Sequence, residues 1–207
     1  DVERKSFFND IVFKTETGEQ LIVGTTRPEL LGACVALFAH PDDKRYKDYI
    51  DKDLEIESVD NDLTSDEEPQ IKKIKIKMVA DKSVDPEFGT GIIKVTPAHD
   101  LTDFEISQRH NLPIIKIINE HGKMNENAGK RFEGLKVAEA REKIVDDLNK
   151  LGLIEKIEDY EHNLTRCDRC NSIIEPLPSE QWFLKVSELS KLPQEVIKNG
   201  EAEFYPK

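Results

Sequence analysis

The chain has 207 residues, 37% hydrophobic and 35% charged, with a net charge of −12 at pH 7. Its mass of 23.7 kDa and mean hydropathy of −0.58 suit one large polar domain, or a domain with an appendage. The acidic balance excludes a protein that coats duplex nucleic acid with a broad basic face, but leaves room for a narrow pocket holding one nucleotide end.

In chain order, Val2 to Phe13 is strand-like. Asp10 to Thr15 and Glu19 to Thr25 form a predicted hairpin about a turn at Thr17-Gly18. Arg27-Pro28 ends that pattern, and Leu30 to Ala39 is apolar enough to be helix or buried strand. His40-Pro41-Asp42-Asp43 predicts a turn into a short helix through Tyr46 to Ile50, and the acidic stretch Asp60 to Gln70 a loop. In Ile71 to Met78, Ile74, Ile76 and Met78 alternate with Lys73, Lys75 and Lys77, the pattern of a half-buried strand near a sheet edge. The glycine turn Phe88-Gly89-Thr90-Gly91 leads into a strand, Ile92 to Thr96, that Pro97 ends. Asp100 to Arg109 predicts a short helix and Ile114 to Ile118 another strand. Val137 to Leu151 is the clearest helix: Ile144, Val145, Leu148 and Leu151 share a face, and Gly152 supplies the stop.

Many short strands and few helices predict an α+β, mainly β fold, a β-barrel-like body with peripheral helices. Past Tyr160 the composition shifts to a C-x-x-C, prolines and the cluster Gln181-Trp182-Phe183, so the expected division is 1–160 and 161–207. An opening within a strand and a close at Phe204-Tyr205-Pro206-Lys207 without a helix cap predict a piece of a longer chain. The longest apolar run, Ala33 to Ala39, is far shorter than the roughly 20 residues of a membrane helix. No secretory leader is expected. Three cysteines make no disulfide framework, so the expected setting is a reducing cytoplasm.

Three groups of residues could carry chemistry. In Gly24-Thr25-Thr26-Arg27-Pro28-Glu29, two hydroxyls and backbone N–H groups at a strand end can hold ribose hydroxyls or a carbonyl oxygen, and Arg27 adds a cationic fork. The same residues suit a Thr-based turn with an Arg–Glu surface pair. Further on, Lys94 and Thr96 point to one side of a strand, and Asp100 and Asp103 share a face at a helix start. An ammonium, a hydroxyl and two carboxylates thus meet where strand gives way to helix, beside glycines that let a backbone approach a ligand. Neither a phosphate-binding Gly-Lys-Ser/Thr loop nor a dinucleotide fingerprint is present. Capping by Asp100, with Asp103 favourable against the helix dipole, needs no ligand, but it explains one Asp and leaves His99, Lys94 and the glycines without a role. Third, Cys167-Asp168-Arg169-Cys170 offers two thiolates at zinc spacing, half of a tetrahedral set, or a pair of idle thiols; His162 is near in sequence and Cys34 distant. Trp182 and Phe183 read as packing residues, the lysines of 71–77 as a solvated face, and His40, His110 and His121 as turn residues.

Thr25-Thr26-Arg27-Pro28-Glu29, the run Gly89-Thr90-Gly91-Ile92-Ile93-Lys94-Val95-Thr96-Pro97-Ala98-His99-Asp100 and Glu180-Gln181-Trp182-Phe183 together resemble the editing insertion of class I aminoacyl-tRNA synthetases. Ala98, Asp100 after His99, and Asp103 resemble the valyl form more than the isoleucyl one, which would clear a valyl ester instead. Leu30 departs from the threonine or serine common after this Thr-Thr-Arg-Pro-Glu motif. The resemblance implies hydrolysis of a threonyl ester mischarged onto valine tRNA, with the tRNA acceptor end and the remainder of a synthetase as partners. A hydrophobic valine pocket rejects isosteric threonine by only about 10², which is why a second site is needed. Carried over, Asp103 resembles the anchor of the substrate ammonium. Lys94, Thr96 and Asp100 resemble the group that reads the threonine hydroxyl and places water. Thr25, Thr26 and Arg27 resemble a cradle for the terminal adenosine and ester carbonyl, and Phe88 a pocket wall; His99 belongs with these substrate-binding residues. Cys167 and Cys170 resemble half of a structural zinc hinge, expected to be unformed within 1–207. No cofactor is implied for editing, and ATP belongs to a catalytic core whose signatures are missing from this sequence. The rival outside this class is a non-catalytic module that only holds the acceptor end.

Overall fold

The computed structural model describes residues 2–202 and Tyr205, with side chains outside 2–5 and 162–164. The ending at Phe204, Pro206 and Lys207 and the side chain of His162 lie outside the described residues. Among the described residues, seven strands build two sheets. The first has the order β2 (Gln20–Thr25), β1 (Val2–Lys14), β7 (Ile154–Leu164), all antiparallel. The second runs β4 (Asp53–Val59), β5 (Ile71–Ala80), β3 (Ala36–Ala39), β6 (Ile92–Val95), with β3 and β5 parallel. The hairpin forms with its expected turn, and β1 extends further back than the hairpin needs. The expected division at 160/161 falls within β7.

The fold is mixed α+β, but the barrel is not what forms. One isolated bridge, Thr15 to Ile56, links the two sheets, and no ladder closes them among the described residues. The reason lies in β3, where Ala36, Leu37, Phe38 and Ala39 are all fully buried. Leu37 packs into the main core between the sheets, while Ala36 and Phe38 pack into a second cluster with Ile106 of helix α1 (Leu101–His110). A sheet apolar on both faces needs a layer on each side.

Other expectations are corrected. The segment 30–39 divides into a 3-10 turn, Pro28–Ala33, and β3. Residues 41–50 form turns without a helix, because the Asp43 carboxylate accepts from the backbone N–H and guanidinium of Arg45, bonds that compete with helical ones. β5 is an interior strand rather than an edge. Its lysines mark a solvent face and meet acidic residues of β4, with Lys73 Nζ 3.1 Å from Glu55 Oε1. Ile114 to Ile118 forms no strand: the N–H of buried Ile117 donates to His99 Nε2 at 3.0 Å instead of to a ladder. Helix α2 spans Val137–Lys150, close to its expected limits, and buries Ala140, Ile144 and Leu148 in the main core. Short helices α3 (Val186–Leu189) and α4 (Lys191–Lys198) follow. Trp182 and Phe183 are exposed, not packed.

Candidate active site

A cleft of about 1260 Å³ opens where the end of β2 faces the start of α1, the beginning of α2 and the segment around Ile173 to Pro176. Its aromatic side comes from Phe8, which meets Phe88 edge-on at 6.1 Å and Tyr160 at 5.4 Å. Gly24 makes that wall possible, since a Cβ there would lie 2.2 Å from the Phe8 ring. Phe88 sits on a loop that Gly91 turns at φ +78°, and the Tyr46 hydroxyl donates to the Thr90 carbonyl at 2.6 Å to hold it.

Thr25, Thr26 and Arg27 line the cleft. The Thr-based turn is real, for Thr25 Oγ1 accepts from the Arg27 N–H at 3.0 Å. The Arg–Glu pair is also real, but it is no surface pair. Glu29 is only 5% exposed and accepts from Arg27 Nε at 3.0 Å and from Arg141 Nε and Nη2 at 2.9 and 2.6 Å. Burial alone would raise its carboxyl, yet the Arg141 hydrogen bond and the charges of both guanidiniums hold it below the usual range. Arg27 Nη2 reaches Glu175 at 2.6 Å. Leu30, the departure within the motif, is buried in the main core.

Behind the cleft, β6 and α1 bring together Lys94, Thr96 and Asp103. Asp103 Oδ2 accepts from the Thr96 N–H at 2.7 Å and from Thr96 Oγ1 at 3.1 Å. Oδ1 of the same carboxylate accepts no hydrogen bond among the described residues. Burial, with the nearby Asp100 charge, raises the Asp103 pKa against these bonds. Lys94 lies opposite Leu37, on the core side of β6, and makes no hydrogen bond or ion pair among the described residues. Burial lowers its pKa, against the opposing electrostatic influence of Cys34, Asp103 and Glu29. The Cys34 thiol is itself pushed up to about 11 by burial. Asp100 lines the cleft and does cap α1, its Oδ1 accepting from the Asp103 N–H at 3.0 Å.

His99 touches the cleft, yet as a residue it is 1% exposed. Because Nε2 accepts from Ile117, the ring proton sits on Nδ1, buried near the Pro176 backbone. Burial, with Arg27 and Lys94 nearby, lowers its pKa to about 4. The imidazole is a neutral wedge whose one basic lone pair is taken.

Cys167 and Cys170 share a turn in which the Cys167 N–H donates to the Ser172 carbonyl at 2.9 Å and Asn171 adopts φ +58°. Cys170 Sγ lies 3.3 Å from Ser172 Oγ, and bonds to Ser172 lower its thiol pKa. The donor set does not fit zinc by itself: two sulfurs stand together, and no group of three His, Cys, Asp or Glu side chains could hold a metal among the described residues.

Sequence reasoning missed Arg141, Lys136, Arg166 and Glu175, all in the cleft wall, and the buried role of Glu29. The polar face of an amphipathic helix carries no local mark that would have singled out Arg141.

The family model for the leucyl-tRNA synthetase editing domain matches residues 51–149. Valine–tRNA ligase of Thermotoga maritima is 46% identical over 92% of this chain and 20% of the relative. The enzyme of Campylobacter jejuni is 45% identical over 94% and 21%, and that of Wolinella succinogenes 40% identical over 100% and 21%. In structure, a chain of a LeuRS–tRNA–LeuAMS ternary complex from Agrobacterium radiobacter overlaps 83% of this chain and 24% of its own length, at 15% identity and a TM-score of 0.46. The chain belongs to the editing domains of aminoacyl-tRNA synthetases. Within that class it is the valyl form, spanning about a fifth of the length of the curated relatives it matches.

Proposed function

We propose that this chain hydrolyses the ester of threonine mischarged onto valine tRNA. The observation that carries the reading is Asp103: a largely buried carboxylate, fixed through Oδ2 by two bonds from Thr96, with Oδ1 left to accept the α-ammonium of an aminoacyl ester. Lys94, Thr96 and Asp100 surround that point with the donors and acceptors that a threonine hydroxyl can satisfy. Valine would leave them desolvated and unpaired, and that penalty supplies the discrimination. Phe88 and Phe8 offer faces for the terminal adenine, while Thr25, Thr26 and Arg27 approach the ribose and the ester carbonyl.

An aminoacyl ester is already activated, so placing a water in line and stabilising the developing oxyanion supply most of the rate. His99, with Nε2 engaged, orders the Ile117 backbone and leaves the water to the polar group around Lys94. The reaction as written consumes no ATP and calls on no cofactor. The acceptor end of valine tRNA and the rest of a synthetase are the partners this reading implies. No helix of the described residues is long and apolar enough to cross a membrane.

The test is deacylation of threonyl- and valyl-esters, both on valine tRNA, at high concentration of the chain. Rapid loss of the threonyl ester with the valyl ester spared is expected. Binding of the acceptor end with neither ester hydrolysed would instead establish a module that only holds RNA.

A further inference from the structure

Two arginines compete for one buried carboxylate, and the outcome decides where Arg27 points. Glu29 has a fully buried side chain and sits on the 3-10 turn Pro28–Ala33, against which α2 packs. Arg141, reaching over from α2, takes both of its oxygens: Nε donates to Oε2 at 2.9 Å and Nη2 to Oε1 at 2.6 Å. A two-pronged pair of this kind is among the strongest contacts a guanidinium makes with a carboxylate. Arg27 is left with one bond, from Nε to the shared Oε1 at 3.0 Å. Its Nη2, on the same edge of the guanidinium as the Nε–H, could complete a fork on Glu29. Instead it reaches Glu175 in the cleft wall at 2.6 Å. Burial opposes ionisation of Glu29, but the Arg141 hydrogen bond and both guanidinium charges keep it ionised, so the competition persists at neutral pH. Arg27 is thus tethered at two points, one behind the cleft and one in its wall.

We propose that Arg141 is a positioning residue for ester hydrolysis: by occupying both oxygens of Glu29 it stops Arg27 from closing on that carboxylate, and so keeps the Arg27 guanidinium at the cleft. The inference rests on the editing reading for what Arg27 then meets, the ribose and the ester carbonyl. Arg141 touches no reacting atom in this scheme. Its effect passes through Glu29 alone.

Arg141→Gln would leave buried Glu29 to a single partner, so the informative variant is Arg141→Lys. Lysine keeps a cation beside Glu29 but offers a point charge in place of a fork, which frees one oxygen for Arg27. In deacylation of the threonyl ester on valine tRNA, kcat of the variant should fall by about 10²-fold with KM unchanged, the cost of a reacting contact misplaced by about 1 Å. In an Arg27→Gln background the same substitution should cost nothing further, because the group it positions is gone. A crystal structure of Arg141→Lys should show Arg27 Nε and Nη2 both on Glu29 and the Glu175 contact broken. Losses that multiply in the double variant, an unchanged kcat, an unmoved Arg27 or a variant that does not fold would each overturn the proposal. If the parent chain hydrolyses neither ester, the editing reading fails by itself, and the place of Arg27 in the variant still decides the positioning. Threonyl-ester turnover by the parent, with Arg27 unmoved in the variant, sinks the positioning and leaves editing standing.

Discussion

At Asp103 the carboxylate that offers Oδ1 to a substrate is one the fold would rather see neutral, since burial and the Asp100 charge raise its pKa. An acid raised in the folded state is most stabilising when protonated, so ionised Asp103 works against folding at neutral pH. Asp103→Asn keeps an oxygen for the two Thr96 bonds and removes the charge. Deacylation should vanish while Tm stays level or rises, as at other sites where function is held against stability. A fall of more than about 4 °C, about 1 kcal/mol or more for a chain this size, would show that the carboxylate is structural. His99 gives the opposite sign. Its ring is held at about 4, below the ordinary 6.5, so its contribution is whole above the unfolded pKa and drains away as pH falls towards the folded one. In urea titrations the stability difference between the parent and His99→Gln should be constant above about pH 6.5. Between there and pH 4 it should move in the variant's favour, by up to ~1.4 kcal/mol per pH unit. A difference that does not change with pH would mean that the ring titrates alike in the folded and unfolded chains.

At the scale of elements, α1 carries two duties in one turn, and they can be separated. Asp100→Ala removes the cap and should lower Tm by about 2–4 °C, near 1 kcal/mol. Asp100→Asn keeps an acceptor for the Asp103 N–H and should restore Tm, yet lose the preference for the threonyl over the valyl ester. If Asn preserves that preference, capping is the whole of its work. A second element-level joint is the pair Arg131–Asp147, buried and two-pronged at 2.6 and 2.7 Å, from which Arg131 Nη1 also donates to the carbonyls of Thr64 and Glu67. Arg131→Met strands a buried carboxylate, a loss of about 3–5 kcal/mol, and should open the 60–70 loop to proteolysis. Pairing it with Asp147→Leu should recover most of the stability but not the loop. The elements legible in the sequence were those with local causes: the hairpin, the alternation of β5, and the caps and apolar stripes of α1 and α2. Tertiary bonds overrode the rest. Ile117 gave its N–H to an imidazole, and Asp43 closed on Arg45 before a helix could start. The alternation of Leu54 and Ile56 in β4 is short and runs straight into the acidic loop, so its local signal is weak.

For the whole molecule, the motif residues were readable because short runs hold them together, whereas the cleft wall was not. Arg141 meets Glu29 across 112 residues of sequence and Arg27 meets Glu175 across 148, and no spacing rule reaches so far. Net charge is silent on the wall for a related reason: a sum over the chain says nothing about which few side chains a fold gathers in one place. The strand β3 has a consequence for how such a chain can vary over time. Ala36 and Phe38 are committed to one interior and Leu37 to the other, and its partner β6 carries Lys94 opposite Leu37. Losing or gaining one codon there would exchange the two interiors and carry the lysine's neighbour to the wrong side. Side chains in β3 can be traded for others of similar volume, but its length cannot drift. Insertions among descendants of this gene should collect instead in the acidic stretch between β4 and β5, where a residue more or less leaves both interiors as they are.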